Sequence, residues 1–166
     1  MPEFIMPVGD NAEAFEGLDS FTQGFITALF FTEEERLASE GDMSLPSVMV
    51  YRDEDGAYES AYDADQPLGF SDLSPCALDR ISKYCEAFYA KAKVLIDAAI
   101  EHGGNSKAFP YDEERAGNDF WFTLSGCGVS FDDRGLGDIG AKLKAIAKAF
   151  PSLEVYLGDD GMVYAS

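Results

Sequence analysis

The chain has 166 residues, 46% of them apolar and 13% aromatic, with 31 acidic side chains against 12 basic ones and a net charge of −19. The apolar share suffices for one folded domain and argues against global disorder, while the charge repels nucleic acid, acidic membrane surface and phosphorylated substrates. The acidity is uneven: residues 1–72 hold 17 acids and 2 bases, a net of −15, whereas residues 73–166 hold 14 and 10, a net of −4.

Pro2, Pro7, Gly9 and Gly17 predict that residues 1–18 form an extended arm ahead of a single domain spanning 19–166. The opening stretch lacks the basic and apolar regions of a signal peptide, and no run approaches the ~20 apolar residues of a membrane span. Ser20 is placed to cap a helix over Phe21–Arg36, where Phe21, Phe25, Ala28, Leu29 and Thr32 recur at helical spacing. Glu33, Glu34 and Glu35 fall at the predicted end of that helix, where its dipole disfavours negative charge, so they read as a charged edge.

Val48–Arg52 and Ala57–Tyr62 flank Asp53-Glu54-Asp55-Gly56, predicting a hairpin with an acidic tip. Asp53 and Asp55 are spaced as in a calcium loop, but Tyr58 stands where the loop needs Gly and no Glu closes it. Ser74 and Pro75 open the clearest helix, which runs to His102 before Gly103-Gly104. Leu78, Ile81, Cys85, Phe88, Ala92, Leu95 and Ala99 make its apolar face. His102, the one histidine, sits where a cation favours a helix end and has no catalytic or metal-ligand spacing around it.

Asp112 is placed to cap a short turn that Gly117 stops. Phe120–Leu124 and Val129–Phe131 are β-prone runs joined by Ser125-Gly126-Cys127-Gly128, which predicts a hairpin with Trp121 and Phe131 buried on neighbouring strands. The letters GLGDIG at 135–140 match a dinucleotide fingerprint, yet no βαβ unit surrounds them. A helix over Gly137–Phe150 follows, with Ile139, Leu143, Ile146, Ala147 and Phe150 inward, and Pro151 ends it. Leu153–Leu157 and Met162–Tyr164 then flank Gly158-Asp159-Asp160-Gly161, a strong hairpin signal.

The three cysteines cannot all pair internally; Cys76 and Cys85 lie roughly 13 Å apart along one helix, too far for a bridge. Reduced thiols suit a cytoplasmic protein.

ERAGNDFWFT at 114–123, followed by Gly126, Gly128, Phe131 and Asp133-Arg134-Gly135-Leu136-Gly137, resembles a segment of small phage and mobile-element proteins. There it runs ERAGxDFWLTRNGHGxGFWDRGLG, with an Ala/Lys-rich helix and a YVGDDGxIY tail, similar to Tyr156–Tyr164 here. The resemblance also takes in Phe21–Glu33 and implies a mobile-element origin without an activity. Leu124, Ser125 and Cys127 stand where those proteins have Arg, Asn and His, and Asp132 replaces a Trp, so no role of that Arg or His carries over.

These readings give an α+β domain, two main helices and a shorter N-terminal one on antiparallel hairpins, with no catalytic constellation and no cofactor or metal implied. The expected function is non-enzymatic: binding a basic, nucleic-acid-handling host protein in the host cytoplasm, as in a DNA-mimicking inhibitor of restriction or CRISPR defence. The candidate contact residues are Glu33, Glu34, Glu35, Glu40, Asp42, Asp53, Glu54, Asp55, Glu59, Asp63 and Asp65, with Trp121, Gly126, Gly128 and Phe131 as structural residues. Fifteen charges match at most ~25 Å of duplex at one charge per ~1.7 Å. The alternative is a virion or accessory structural protein whose acidity is only solubilising; a small hydrolase stands third.

Overall fold

The computed structural model describes residues 3–4, 6, 8, 11–41, 50–52, 58–60 and 68–166. These residues form an α+β fold that is mostly helical: α1 Ala12–Glu16, α2 Ser20–Gly41, α3 Pro75–His102, α4 Glu113–Ser125 and α5 Asp138–Lys148. Short strands β1 Glu3–Phe4, β2 Val50–Arg52 and β3 Tyr58–Ser60 pair antiparallel in that order, and β4 Val155–Leu157 pairs with β5 Val163–Ala165. Within residues 1–18, expected to form an extended arm, the described residues include strand β1 and the short helix α1. Phe15 of α1 packs against Phe70 at 5.1 Å between ring centroids, which anchors this segment through apolar contact.

Helix α2 starts one residue earlier than its sequence signal. Asp19, not Ser20, is the cap: its carboxylate accepts the Thr22 N–H at 2.8 Å and the Thr22 hydroxyl at 2.9 Å. The helix continues to Gly41, so Glu33–Glu35 lie inside it and meet no unfavourable C-terminal dipole. Helix α3 follows its sequence closely. The Ser74 hydroxyl accepts the Ala77 N–H at 3.0 Å, and Gly103 closes the helix at φ 82°. Ile81, Cys85, Phe88, Ala92, Ile96 and Ala99 form its buried stripe, while Leu78 and Leu95 are half-buried beside it.

The predicted hairpin around Gly126 is a helix. Asp112 caps α4 through the Arg115 N–H at 2.8 Å, as expected, but the helix runs through Gly117 to Ser125. Gly126, at φ 69°, ends it by donating its N–H to the Phe122 carbonyl at 3.1 Å. Gly128 also takes positive φ, within the turn that leads to the 3₁₀ turn Phe131–Asp133. Trp121 and Phe131 are buried as anticipated, on a helix and a 3₁₀ turn instead of strands. The Trp121 Nε1–H donates to the Thr32 hydroxyl at 2.7 Å, tying α4 to α2.

Gly117 does not stop the helix because another backbone needs its empty side-chain position. A Cβ there would lie 1.9 Å from the Phe21 carbonyl oxygen, and one on Gly24 would lie 2.0 Å from the Glu114 oxygen. Helices α2 and α4 therefore cross backbone to backbone through two glycines. Around the crossing, Phe88 and Phe120 stack at 4.1 Å, flanked by Phe21, Phe25, Phe131 and Trp121. This aromatic cluster is the centre of the core.

Gly140 of α5 sits under the Phe131 carbonyl, where a Cβ would approach to 2.6 Å. A 3₁₀ turn precedes this helix, so the GLGDIG glycines serve a turn and a close helix contact, with no βαβ unit around them. Leu143 and Ala147 are buried, and Ile139, Ile146 and Phe150 pack at the edge of the core. Strands β4 and β5 pair as their turn signal predicts, with Tyr156 opposite Tyr164. The Val163 carbonyl accepts the Ser74 N–H at 2.9 Å, which fixes the hairpin beside the start of α3.

Candidate functional site

Helical geometry separates the acidic residues singled out on α2. Phe30, Glu34 and Leu37 follow at i, i+4 and i+7 and share one buried stripe, so Glu34 is 1% exposed. The expectation that it belongs to an exposed acidic edge is thereby corrected. Glu33 accepts from the Arg36 guanidinium at 2.7 Å, and Arg36 also donates to the Val155 carbonyl. Glu35 and Glu40 lie on α2 and Glu59 on β3. Asp42, Asp53, Glu54, Asp55, Asp63 and Asp65 lie outside the described residues. Of the proposed contact residues, the structure thus places Glu33 in an ion pair and Glu34 in the core.

A buried polar cluster, absent from the sequence reading, joins the two parts of the ERAGND…DRGLG segment. Asp119 is fully buried on α4, and Arg134 reaches it through Nη2 at 2.7 Å and Nε at 3.1 Å. The Tyr111 hydroxyl donates to the second carboxylate oxygen at 3.0 Å. Burial pushes the Asp119 carboxyl up from the ordinary carboxylate range, and the Arg134 and Tyr111 bonds pull it back. The same pair raises Arg134, and burial followed by the carboxylate raises the Tyr111 phenol. Both carboxylate oxygens are engaged, so Asp119 is built as a latch between α4 and the following turn and is unsuited to act as a base.

A groove of about 550 Å³ lies between the α1–α2 junction, α3 and the start of α4. Leu18, Cys85 and Ala90 give it apolar lining, Thr22 and Ser82 add hydroxyls, and Asp19, Glu86 and Glu113 stand around it. The Tyr89 hydroxyl donates to Glu113 at 2.8 Å, and this bond, ahead of partial burial, pushes the Tyr89 phenol up to about 12. Burial pushes the Cys85 thiol up, helped by the nearby Asp19 charge, so it is a poor nucleophile. His102 is exposed at the end of α3, and its Nδ1 accepts the Gly104 N–H at 3.3 Å.

Searches with the chain against protein-family models, curated proteins and solved structures return no match. No helix among the described residues is long and apolar enough to cross a membrane.

Proposed function

We propose that the chain is a non-enzymatic binding protein of phage or mobile-element origin that engages the basic face of a host nucleic-acid-handling protein. An inhibitor of restriction or CRISPR defence that mimics DNA is the specific form. The observation that carries this reading is the concentration of charge, −15 in residues 1–72 against −4 in residues 73–166. A field of that sign steers basic surfaces towards the chain and turns nucleic acid away. Two chemical features agree with a binding role: the Cys85 thiol is held protonated by burial, and Asp119 has both oxygens occupied.

The acidic tip is the place to test it, since Glu34 is buried and Glu33 is already paired. Asp53, Glu54 and Asp55 are replaced by Asn, Gln and Asn, and Glu59, Asp63 and Asp65 likewise in a second variant. Capture of a host nucleic-acid-binding protein from lysate is expected to weaken in at least one variant, and to fall steeply with salt for the wild type. Melting temperature is expected to hold or rise as self-repulsion is relieved. Capture indifferent to both variants and to salt would discard the electrostatic reading and favour an accessory structural protein.

A further inference from the structure

We infer that the groove between the α1–α2 junction, α3 and the start of α4 seats an apolar segment of a partner protein bearing an arginine or lysine side chain. This rests on the acidic-binder reading above and adds the place and chemistry of contact. Three features select that occupant.

The first is size. A groove of about 550 Å³ lies in the roughly 300–1,000 Å³ range of pockets that hold organic groups. It is much larger than a bare ion needs.

The second is the combination of lining and charge. Leu18, Cys85 and Ala90 offer apolar surface, while three carboxylates ring it. Calcium needs six to eight oxygen ligands, which an apolar floor does not supply. An arginine or lysine lays its hydrocarbon stem on such a floor and presents its charge at the rim.

The third is the pairing pattern along α3. Asp79 and Asp97, on either side of the groove, are matched by Lys83 and Lys93 at 2.7 and 2.8 Å. At the groove, Glu86 is exposed and no cation of the described residues pairs with it. Asp19 is held by the α2 cap and Glu113 by the Tyr89 hydroxyl, both neutral donors, and the nearby Lys93, which also acts on Glu113, is hydrogen-bonded to Asp97 instead. The surface is complementary to a cation from outside.

The test uses the full chain, ¹⁵N-labelled, and three blocked pentapeptides: Leu-Arg-Leu-Arg-Leu, Leu-Gln-Leu-Gln-Leu and Ser-Arg-Ser-Arg-Ser. The first is expected to shift amides of residues 18–22, 82–90 and 113, and to bind at least tenfold tighter than the other two. Glu86→Gln is expected to weaken it about fivefold, as for one exposed ion pair. Ala90→Trp, at an exposed lining position, is expected to abolish it. Melting curves establish that both variants fold, and Glu86→Gln carries the test if Ala90→Trp does not. Shifts scattered over the acidic surface, equal binding of the glutamine peptide, or an unaffected Glu86→Gln would overturn the inference. Concentration-dependent shifts at these amides without peptide would overturn it in favour of a second copy. Salt-sensitive lysate capture that survives Ala90→Trp would remove the groove alone, whereas salt-insensitive capture by the wild type would remove the broader reading.

Discussion

Replacing Gly117 by Ala separates two opposing rules by the sign of the result. On an isolated helix the change should help, since Gly costs about 1 kcal/mol relative to Ala in a helix interior. Here the new methyl would lie 1.9 Å from the Phe21 carbonyl oxygen and 2.9 Å from the Phe25 nitrogen. Ordinary contact needs about 3.5 Å, so α2 and α4 must part by about 1.5 Å. Both obstacles are backbone, which no rotamer change can move aside. Overpacking of a tight core costs typically ~1–3 kcal/mol and more when backbone must shift. Parting the helices also loosens the Phe21, Phe25, Phe120 and Trp121 contacts. A net loss of about 3 kcal/mol is expected after the propensity gain, or roughly 6–12 °C in Tm for a domain of this size. Urea and thermal unfolding followed by circular dichroism measure it, with Gly24→Ala as the partner variant. The double variant should cost less than the sum of the singles, because one separation relieves both contacts. A Gly117→Ala protein as stable as the wild type, or more so, would refute the backbone crossing.

Asp119→Asn should destabilise by about 2–3 kcal/mol, below the ~3–5 kcal/mol of a fully buried pair because Arg134 is partly exposed and can rehydrate; chemical denaturation reports it. The Tyr89 phenol should titrate at about 12, above its ordinary 10.0, and Glu113→Gln should return it towards 10.0 in ultraviolet absorbance. Its folded value is the higher one, so this bond's stabilisation is complete below pH 10.0 and is lost as pH rises through about 12. Asp160 behaves oppositely: the Tyr164 hydroxyl and the Met162 N–H hold its carboxyl below 3.8, so support of the β4–β5 turn is present above pH 3.8 and lost as pH falls through the lower folded value. A carbon-detected NMR titration with a midpoint at or above 3.8 would contradict that.

Local signals made part of this fold readable. Ser74-Pro75 and Gly103 bracket α3, and the Gly158–Gly161 turn sets β4 against β5, because caps and turns act within a few residues. Helix α4 was misread for a non-local reason. Phe120, Trp121, Phe122 and Thr123 suit a strand by propensity, and the reason for Gly117 is the carbonyl of Phe21 on another helix. Asp119 was invisible for the same cause, since only the fold brings Arg134 and Tyr111 to it. Burial of Glu34 was within reach: Phe30 and Leu37 mark its stripe once α2 is extended past Arg36. The groove draws Asp19, Glu86 and Glu113 from three elements, so no spacing along the chain announces it.

The glycine crossing also determines how far this protein can be taken apart. Helix α2 belongs by sequence to the strongly acidic half, yet its Phe21, Phe25 and Leu29 are core residues shared with the nearly neutral half. A cut near Leu73 would strand Phe21 and Phe25 in water on one fragment and Phe120 and Trp121 on the other. The charged portion is therefore not a detachable module: transplanted alone onto another scaffold it would arrive without the surface that holds its helix, and co-expressed fragments should regain structure only by reassembling across that crossing.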